Sequence, residues 1–221
     1  MEGGTEKEKR ELFNHLRREI RSEKVLRAME QVPRELFVPA EIRYLAYKDV
    51  ALPIGEGQTI SQPFIVALMT SALELRDGEK VLELGTGSGY QAAILSRLVP
   101  QGKVLSLERI PSLAQAAQER LRSLGCENVE VRVSGDTLGC QEGAPFDAII
   151  VTAASPRLPS TLLKQMALGG RMVIPIGTTL KEQELTKVLR TGEGHTIAML
   201  GPCRFVPLIG QDAWPEDIEE L

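Results

Sequence analysis

Cysteine and histidine are both scarce in this chain. The three cysteines, Cys126, Cys140 and Cys203, stand far apart with no Cys-x-x-Cys pair. An odd, scattered set argues against a disulfide framework and a cysteine-based zinc site, and for a reducing compartment. His15 and His195 are the only histidines, so no metal centre is expected. Aromatic residues make up 4% of the chain and gather in no basic strip. With a net charge of −4, the composition carries no footprint for nucleic acid. No 18-residue apolar run exists, and the start, MEGGTEKEKR, lacks the pattern of a signal peptide. Repeats and low-complexity tracts are missing too. These absences leave a cytoplasmic protein without membrane attachment as the expectation.

What is present is an ordinary globular balance: 221 residues, 43% hydrophobic and 25% charged. That is enough for one large α/β domain and an appendage. The chain is organised around Val81 to Leu95, VLELGTGSGYQAAIL. Val81, Leu82 and Leu84 suit a central parallel strand, and Tyr90 to Leu98 has helical apolar spacing. Between them Gly85, Gly87 and Gly89 permit backbone angles closed to other residues and close approach of a ligand. Doubly wound α/β folds bind nucleotides at such a loop. The spelling here is GxGxG rather than the dinucleotide GxGxxG, and Glu83 precedes the loop. An acid there suits a cationic ligand better than a pyrophosphate. Glu108 closes the next apolar run, about 20 residues beyond the glycines, where an acid can accept from ribose hydroxyls. Together these features favour S-adenosyl-L-methionine, which has a ribose but no phosphate.

Taken in order, residues 5–30 read as an amphipathic helix or helix pair. Leu12, Leu16 and Ile20 recur at four-residue spacing, among charges of alternating sign. Two prolines in QVPRELFVP, 31–39, interrupt it. GEGQTISQP, 55–63, is a mobile or tightly turned loop. Phe64 to Leu75 follows as a buried helix with Ile65, Leu68, Met69 and Ala72 at helical spacing. Ser61 can serve as its N-cap and also face a ligand. Strands are expected at 103–108, 129–133, 146–152 and 171–176. Helices are expected from Pro111, with Gly125 as the residue past its end, and over 158–168, ended by Gly169 and Gly170. Two antiparallel strands at 183–190 and 196–200 and an extended tail, 204–210, complete the chain. The division expected is 1–77, a helical segment with an active-site loop, and 78–221, a Rossmann-like domain with a mostly parallel sheet.

The segments VPRELFVP (32–39), GQTISQP (57–63), LELGTGSGYQAAIL (82–95), LERI (107–110), APFDAIIVTAA (144–154), GGRMVIPIG (169–177) and RFVPLIG (204–210) occur in that order. The set resembles the protein-L-isoaspartate (D-aspartate) O-methyltransferases over nearly the whole chain. The glycine-rich segment alone indicates only a class I methyltransferase; GQTISQP with VPRELFVP and RFVPL is more specific. The resemblance implies S-adenosyl-L-methionine as methyl donor and, as acceptor, the free carboxylate of an isoaspartyl residue in a damaged protein or peptide. It implies Ser61 as the active residue. For the donor it implies contacts from Thr59, Ile60 and Ser61, from Glu83, Gly85, Thr86, Gly87 and Ser88, and from Glu108 and Arg109. One departure stands out. The family's Gly-Asp-Gly after the third strand is Ser134-Gly135-Asp136 here, with Gly135 at the family's aspartate position, so either the loop re-registers and Asp136 reaches the adenine or that contact is lost.

The implied chemistry is an in-line displacement on an already ionised carboxylate (pKa about 4), so no general base is needed. Ser61 is assigned to hold one carboxylate oxygen. Main-chain pairing of the peptide with Val206-Pro207-Leu208 is expected, as in strand addition. The protein is expected to act as a monomer. Rival readings are a class I methyltransferase with another acceptor, a nicotinamide-dependent oxidoreductase, and a donor-binding module without catalysis.

Overall fold

The chain opens with α1 (Glu2–Glu19) and α2 (Glu23–Gln31), so of the two readings, one helix or a pair, the pair forms. Leu12, Phe13 and Leu16 of α1 and Val25, Leu26 and Met29 of α2 are buried, whereas Arg10, Glu11, Arg17, Arg18 and Glu19 face solvent. Beyond Pro33 the chain makes two short 3₁₀ turns, Arg34–Phe37 and Ala40–Leu45. A hairpin follows, β1 (Leu52–Gly55) paired antiparallel with β2 (Gln58–Ile60). Gly55, Glu56 and Gly57 all take positive φ in its turn, so the loop read as mobile or tight is a tight turn. The computed structural model describes residues 2–179 and 181–217; the outermost residues of the two expected divisions lie outside that range.

Helix α3 (Pro63–Ala72) then leads into the sheet. Its buried face is Val66, Ala67, Met69 and Thr70; Ile65, Leu68 and Ala72, expected inside, are only half-buried. The alternation continues with β3 (Lys80–Leu84), α4 (Tyr90–Leu98), β4 (Lys103–Glu108), α5 (Pro111–Ser123), β5 (Val129–Val133) and β6 (Phe146–Val151). It ends with α6 (Ser160–Gln165), β7 (Met166–Ile176), β8 (Gln183–Thr191) and β9 (Gly194–Cys203). The seven strands run in the order β5-β4-β3-β6-β7-β8-β9. The first five are parallel, and β8 and β9 are added antiparallel.

Side chains on a strand alternate between faces, and here both faces are covered. Val81, Val104, Ala148 and Val173 join α1, α2, α3 and α4 in one core; Leu82, Leu105, Ile149 and Met172 belong to the other. The N-terminal helices thus share a core with the sheet. One expected element is corrected: the helix over 158–168 ends at Gln165, and Met166 already pairs with Phe146. The register shifts before Ala148 meets Arg171, so Gly169 (φ 75°) and Gly170 sit inside a strand irregularity rather than a helix end. A Cβ on Gly170 would lie 2.8 Å from the Ala167 carbonyl oxygen, which explains the small residue.

Arg171 ties the entry of β3 to the middle of the sheet. Its guanidinium forms two parallel bonds to Glu79, each 2.8 Å, and donates to the carbonyls of Leu73, Glu74 and Asp147. Burial pushes the Glu79 carboxyl upward, but the Arg171 fork and the Arg76 N–H outweigh it and hold it below the usual carboxylate range. Arg171→Met should therefore cost about 1.5–3 kcal/mol of stability in urea unfolding, because it leaves a half-buried carboxylate and three carbonyls without their donor. The contribution of Glu79 is complete above its unfolded pKa of about 4.3 and is lost as pH falls through the lower folded value. Glu79→Gln should lack that acid limb; an unchanged limb would contradict the assignment.

Candidate active site

From β3 the chain lays β4 and then β5 on one side, and returns to place β6 on the other. Loops leaving β3 and β6 therefore part from each other, opening a crevice at the carboxyl ends of the strands. A cavity of about 150 Å³ lies there. Leu84, Gly85 and Gly87 line it at the end of β3, Leu107 to Ile110 at the end of β4, Ser134 and Gly135 after β5, and Thr152 and Ala153 after β6. Gln58 and Thr59 of the hairpin and Val206 to Ile209 of the tail complete its walls. A second cavity, about 40 Å³, shares Thr59, Gly85, Gly87 and Thr152 with the first and adds Ile60, Ser61, Thr86, Ser88, Tyr90 and Gln91.

Gly85 adopts φ 95°, and a Cβ there would sit 2.3 Å from Thr152 Oγ1. Only glycine fits on both counts. The N–H groups of Gly85 and Thr86 donate to the Leu107 carbonyl, that of Gly89 to the Thr86 carbonyl, and that of Gly87 to Glu108 Oε2 at 2.8 Å. These four N–H groups are already satisfied inside the protein. A pyrophosphate cradle needs such groups free, so the loop suits a donor without phosphate. Glu108 is 7% exposed and lines the cavity; its other oxygen accepts from Ile110 N–H at 3.0 Å. A carboxylate has about four acceptor directions, which leaves capacity for two hydroxyls. The apolar walls of Leu107, Ile110 and Leu138 suit a planar base. The residues present therefore fit S-adenosyl-L-methionine.

Glu83 corrects the expectation of an acid at the ligand. It is 0% exposed and lines neither cavity. Ser106 stands opposite it in register and donates to its carboxyl at 2.5 Å. Ser106 in turn bonds Thr86 Oγ1 at 2.5 Å, and the second Glu83 oxygen has no partner. The chain Glu83–Ser106–Thr86 supports the glycine loop from beneath. Burial pushes the Glu83 carboxyl up to about 8, and Glu108 adds to the rise against the opposing Ser106 bond.

On the hairpin side, Ser61 is not the helix cap. Gln62 holds that position, and Asp49 accepts from the Phe64 N–H at 2.8 Å and from Gln62 Nε2 at 2.9 Å. The Ser61 hydroxyl makes no hydrogen bond among the described residues and lines the second cavity, beside the buried Ile60. After β5, Gly135 lines the main cavity; Asp136 does not, and its carbonyl accepts from Gln211 N–H at 3.0 Å. Arg109 lines the cavity while half-exposed, 3.6 Å from Glu216. Val206 and Leu208 line it too, but the Val206 carbonyl and Leu208 N–H are already paired with Ala154, each at 2.8 Å. Strand addition through those two groups is therefore closed. Sequence reasoning passed over Thr152, shared by both cavities, and Arg34, whose guanidinium donates to the Ser61 carbonyl at 2.8 Å. The available signals were a hydroxyl at a strand's carboxyl end and a lone cation among the apolar residues of VPRELFVP.

Comparison with known proteins gives one consistent picture. The family model for protein-L-isoaspartate (D-aspartate) O-methyltransferase matches residues 7–213. The chain is 53% identical over 210 residues to a protein-L-isoaspartate O-methyltransferase of Ignicoccus hospitalis, covering 94% of this chain and 100% of that one. It is 49% identical over 213 residues to the corresponding protein of Methanoculleus marisnigri, covering 96% of each. Among solved structures, one protein-L-isoaspartate O-methyltransferase superposes with a TM-score of 0.83 at 30% identity, over 93% of this chain and 67% of that one. A Plasmodium falciparum protein assigned to the same activity, solved with S-adenosyl-L-homocysteine, superposes with a TM-score of 0.77 at 25% identity, over 90% and 96% of the two chains.

The buried Glu83 carboxyl makes a pH prediction. It is neutral when folded at neutral pH and ionised when unfolded. Its contribution to stability is complete below the unfolded pKa, about 4.3, and is lost as pH rises toward about 8. Glu83→Gln should flatten the fall of the denaturation midpoint between about pH 5 and 8. Equal slopes for the two proteins would refute the buried neutral carboxyl.

Proposed function

Because the chain belongs to the protein-L-isoaspartate (D-aspartate) O-methyltransferase family, we propose that its two adjoining cavities divide the family's reaction into a donor side and an acceptor side. The enzyme transfers the methyl group of S-adenosyl-L-methionine to the free carboxylate of isoaspartyl residues in proteins and peptides, starting their repair. It has the class I methyltransferase fold, with N-terminal helices added to a mostly parallel seven-stranded sheet. The observation that carries the proposal is the unpartnered Ser61 hydroxyl beside a cavity that shares Gly85, Gly87 and Thr152 with the one holding Glu108.

In this reading the sheet domain, 78–221, supplies the donor side. Glu108 accepts from the ribose hydroxyls, held in place by the Gly87 and Ile110 N–H groups. Gly85 and Gly87 form the floor shared by both cavities, Thr86 and Ser88 reach the donor from the second, Gly135 and Arg109 border the base, and Thr59 and Ile60 close over the join. Bound donor supplies an activated methyl group on a sulfonium sulfur. The segment 1–77 supplies Ser61, whose hydroxyl donates to one oxygen of the isoaspartyl carboxylate and leaves the other free to attack. That carboxylate, with a pKa of about 4, is ionised at neutral pH, so no residue has to remove a proton. Opposite charges neutralise each other during transfer, so the water exclusion provided by Val66, Met69 and Tyr90 favours the reaction. Val206 and Leu208 line the donor cavity, and with the Val206 carbonyl and the Leu208 N–H already paired to Ala154 they meet a bound peptide through their side chains where it approaches the donor.

The same reading extends to setting. No described helix is long and apolar enough to cross a membrane. Cys126, Cys140 and Cys203 are free thiols, which supports a reducing, cytoplasmic location. The protein is read as acting as a monomer, and the net charge of −4 supports peptide rather than nucleic acid as acceptor.

Ser61→Ala should lower turnover on an isoaspartyl peptide roughly ten- to a hundredfold, the worth of one hydrogen bond to a charged group, with donor affinity nearly unchanged. Wild-type turnover would remove the role. Glu108→Ala should raise the donor dissociation constant about tenfold or more in calorimetry. An unchanged constant would defeat the ribose assignment.

A further inference from the structure

Among the described residues, Arg34 is the largest side chain that is fully buried, at 1% exposure. No carboxylate forms an ion pair with it there, although the charge of Asp49 acts on it from a distance. Its Nε donates to the Ala46 carbonyl at 2.9 Å and its Nη2 to the Ser61 carbonyl at 2.8 Å. Its Cζ lies 4.9 Å from the centroid of the Tyr90 ring, and Nη1 has no hydrogen-bond partner. An unpaired guanidinium is costly to bury, and a long apolar side chain would fill the same space without that cost. What an apolar chain cannot do is hold a carbonyl and stack on a ring with one rigid plane. The two groups held are informative. Ser61 belongs to the acceptor cavity, and Tyr90 is the first residue of α4, directly after Gly89 of the donor loop. Phe37, from the same 3₁₀ turn as Arg34, also meets the Tyr90 ring, edge-on with centroids 5.3 Å apart.

We propose that Arg34 is a positioning residue for methyl transfer: it fixes the Ser61 backbone against the start of α4, so that the acceptor hydroxyl and the donor loop keep one alignment. The proposal rests on the acceptor role given to Ser61 above. Asp49 anchors the chain on the other side of Ser61, through Gln62 and Phe64, so the serine is held from both directions while its hydroxyl stays free.

The test is a double-mutant cycle on an isoaspartyl peptide, with donor affinity followed by calorimetry. Arg34→Met should lower kcat about ten- to a hundredfold while peptide KM and donor Kd stay within about threefold. Arg34→Lys, which keeps a donor but loses the plane, should recover part of kcat. Arg34→Met combined with Ser61→Ala should be no slower than the slower single variant, since both remove the same aligned hydroxyl. Losses that multiply in the double variant, or wild-type kcat in Arg34→Met, would overturn the proposal and leave the Ser61 role standing. A wild-type rate for Ser61→Ala would defeat the acceptor reading itself and this proposal with it. If Arg34→Met does not fold, the cycle through Arg34→Lys is read by the same criteria.

Discussion

The contact between Gly85 and Thr152 governs how this site is built. Thr152 Oγ1 lies within hydrogen-bonding distance of the Leu84 carbonyl at 3.0 Å and of the Gly85 carbonyl at 2.7 Å. It occupies the space where any other residue at position 85 would place a Cβ. On the opposite side the Gly85 and Thr86 N–H groups are taken by the Leu107 carbonyl. The loop is thus pinned between the strand ends of β4 and β6, at the one point where the strand order reverses. Because these bonds are internal, the loop's shape is set before any ligand arrives, and ordering it costs nothing at binding. The same pinning explains the ligand class: a loop that has used its N–H groups on its own fold has none left for phosphate.

Two acids on adjacent strands illustrate how environment divides roles. Glu83 and Glu108 both sit near the loop in sequence, and both read as ligand-facing. Glu83 is fully buried, meets one hydroxyl and stays neutral near pH 7 because burial outweighs that single bond. Glu108 stands at the last position of β4, where the loop backbone presents the Gly87 and Ile110 N–H groups to its two oxygens. The strand end, not the residue type, decides which acid lines the cavity. The charge of Glu108 in turn adds to the rise that keeps Glu83 neutral.

Much of the donor side is legible from the chain alone because it is local. A strand, three glycines and a helix fall within fifteen letters, and Glu108 follows one strand later. The parallel strands are legible for a similar reason, being short apolar runs bounded by turns. The misread places depend on partners distant in sequence. Gly169 and Gly170 look like a helix stop, yet pairing of Met166 with Phe146 turns them into a kink within β7. Ser61 looks like a cap, yet Asp49, remote in sequence, takes over that task. That Gly135 rather than Asp136 lines the cavity goes with the tail, where Gln211 bonds the Asp136 carbonyl and Thr137 pairs with Gln211. No periodicity announces any of these contacts.

Arg34 belongs to the same class of illegible residues, and the reason is energetic. Patterning reasoning places cations on solvated faces, and most of the N-terminal charges obey it. A guanidinium buried without a carboxylate breaks the rule and persists only where the surrounding structure supplies carbonyls and a ring in fixed positions. Here those positions come from three separate segments: Ala46, Ser61 and Tyr90. The first core also joins α1, α2 and α3 to α4 and to Val81 and Val104 of the sheet. The N-terminal segment therefore cannot shift relative to α4 without opening that core and exposing the guanidinium's unmatched edge. Acceptor and donor sides are coupled by packing as well as by Arg34, so the alignment that an in-line transfer demands is a property of the folded core rather than of the loops that touch the reactants.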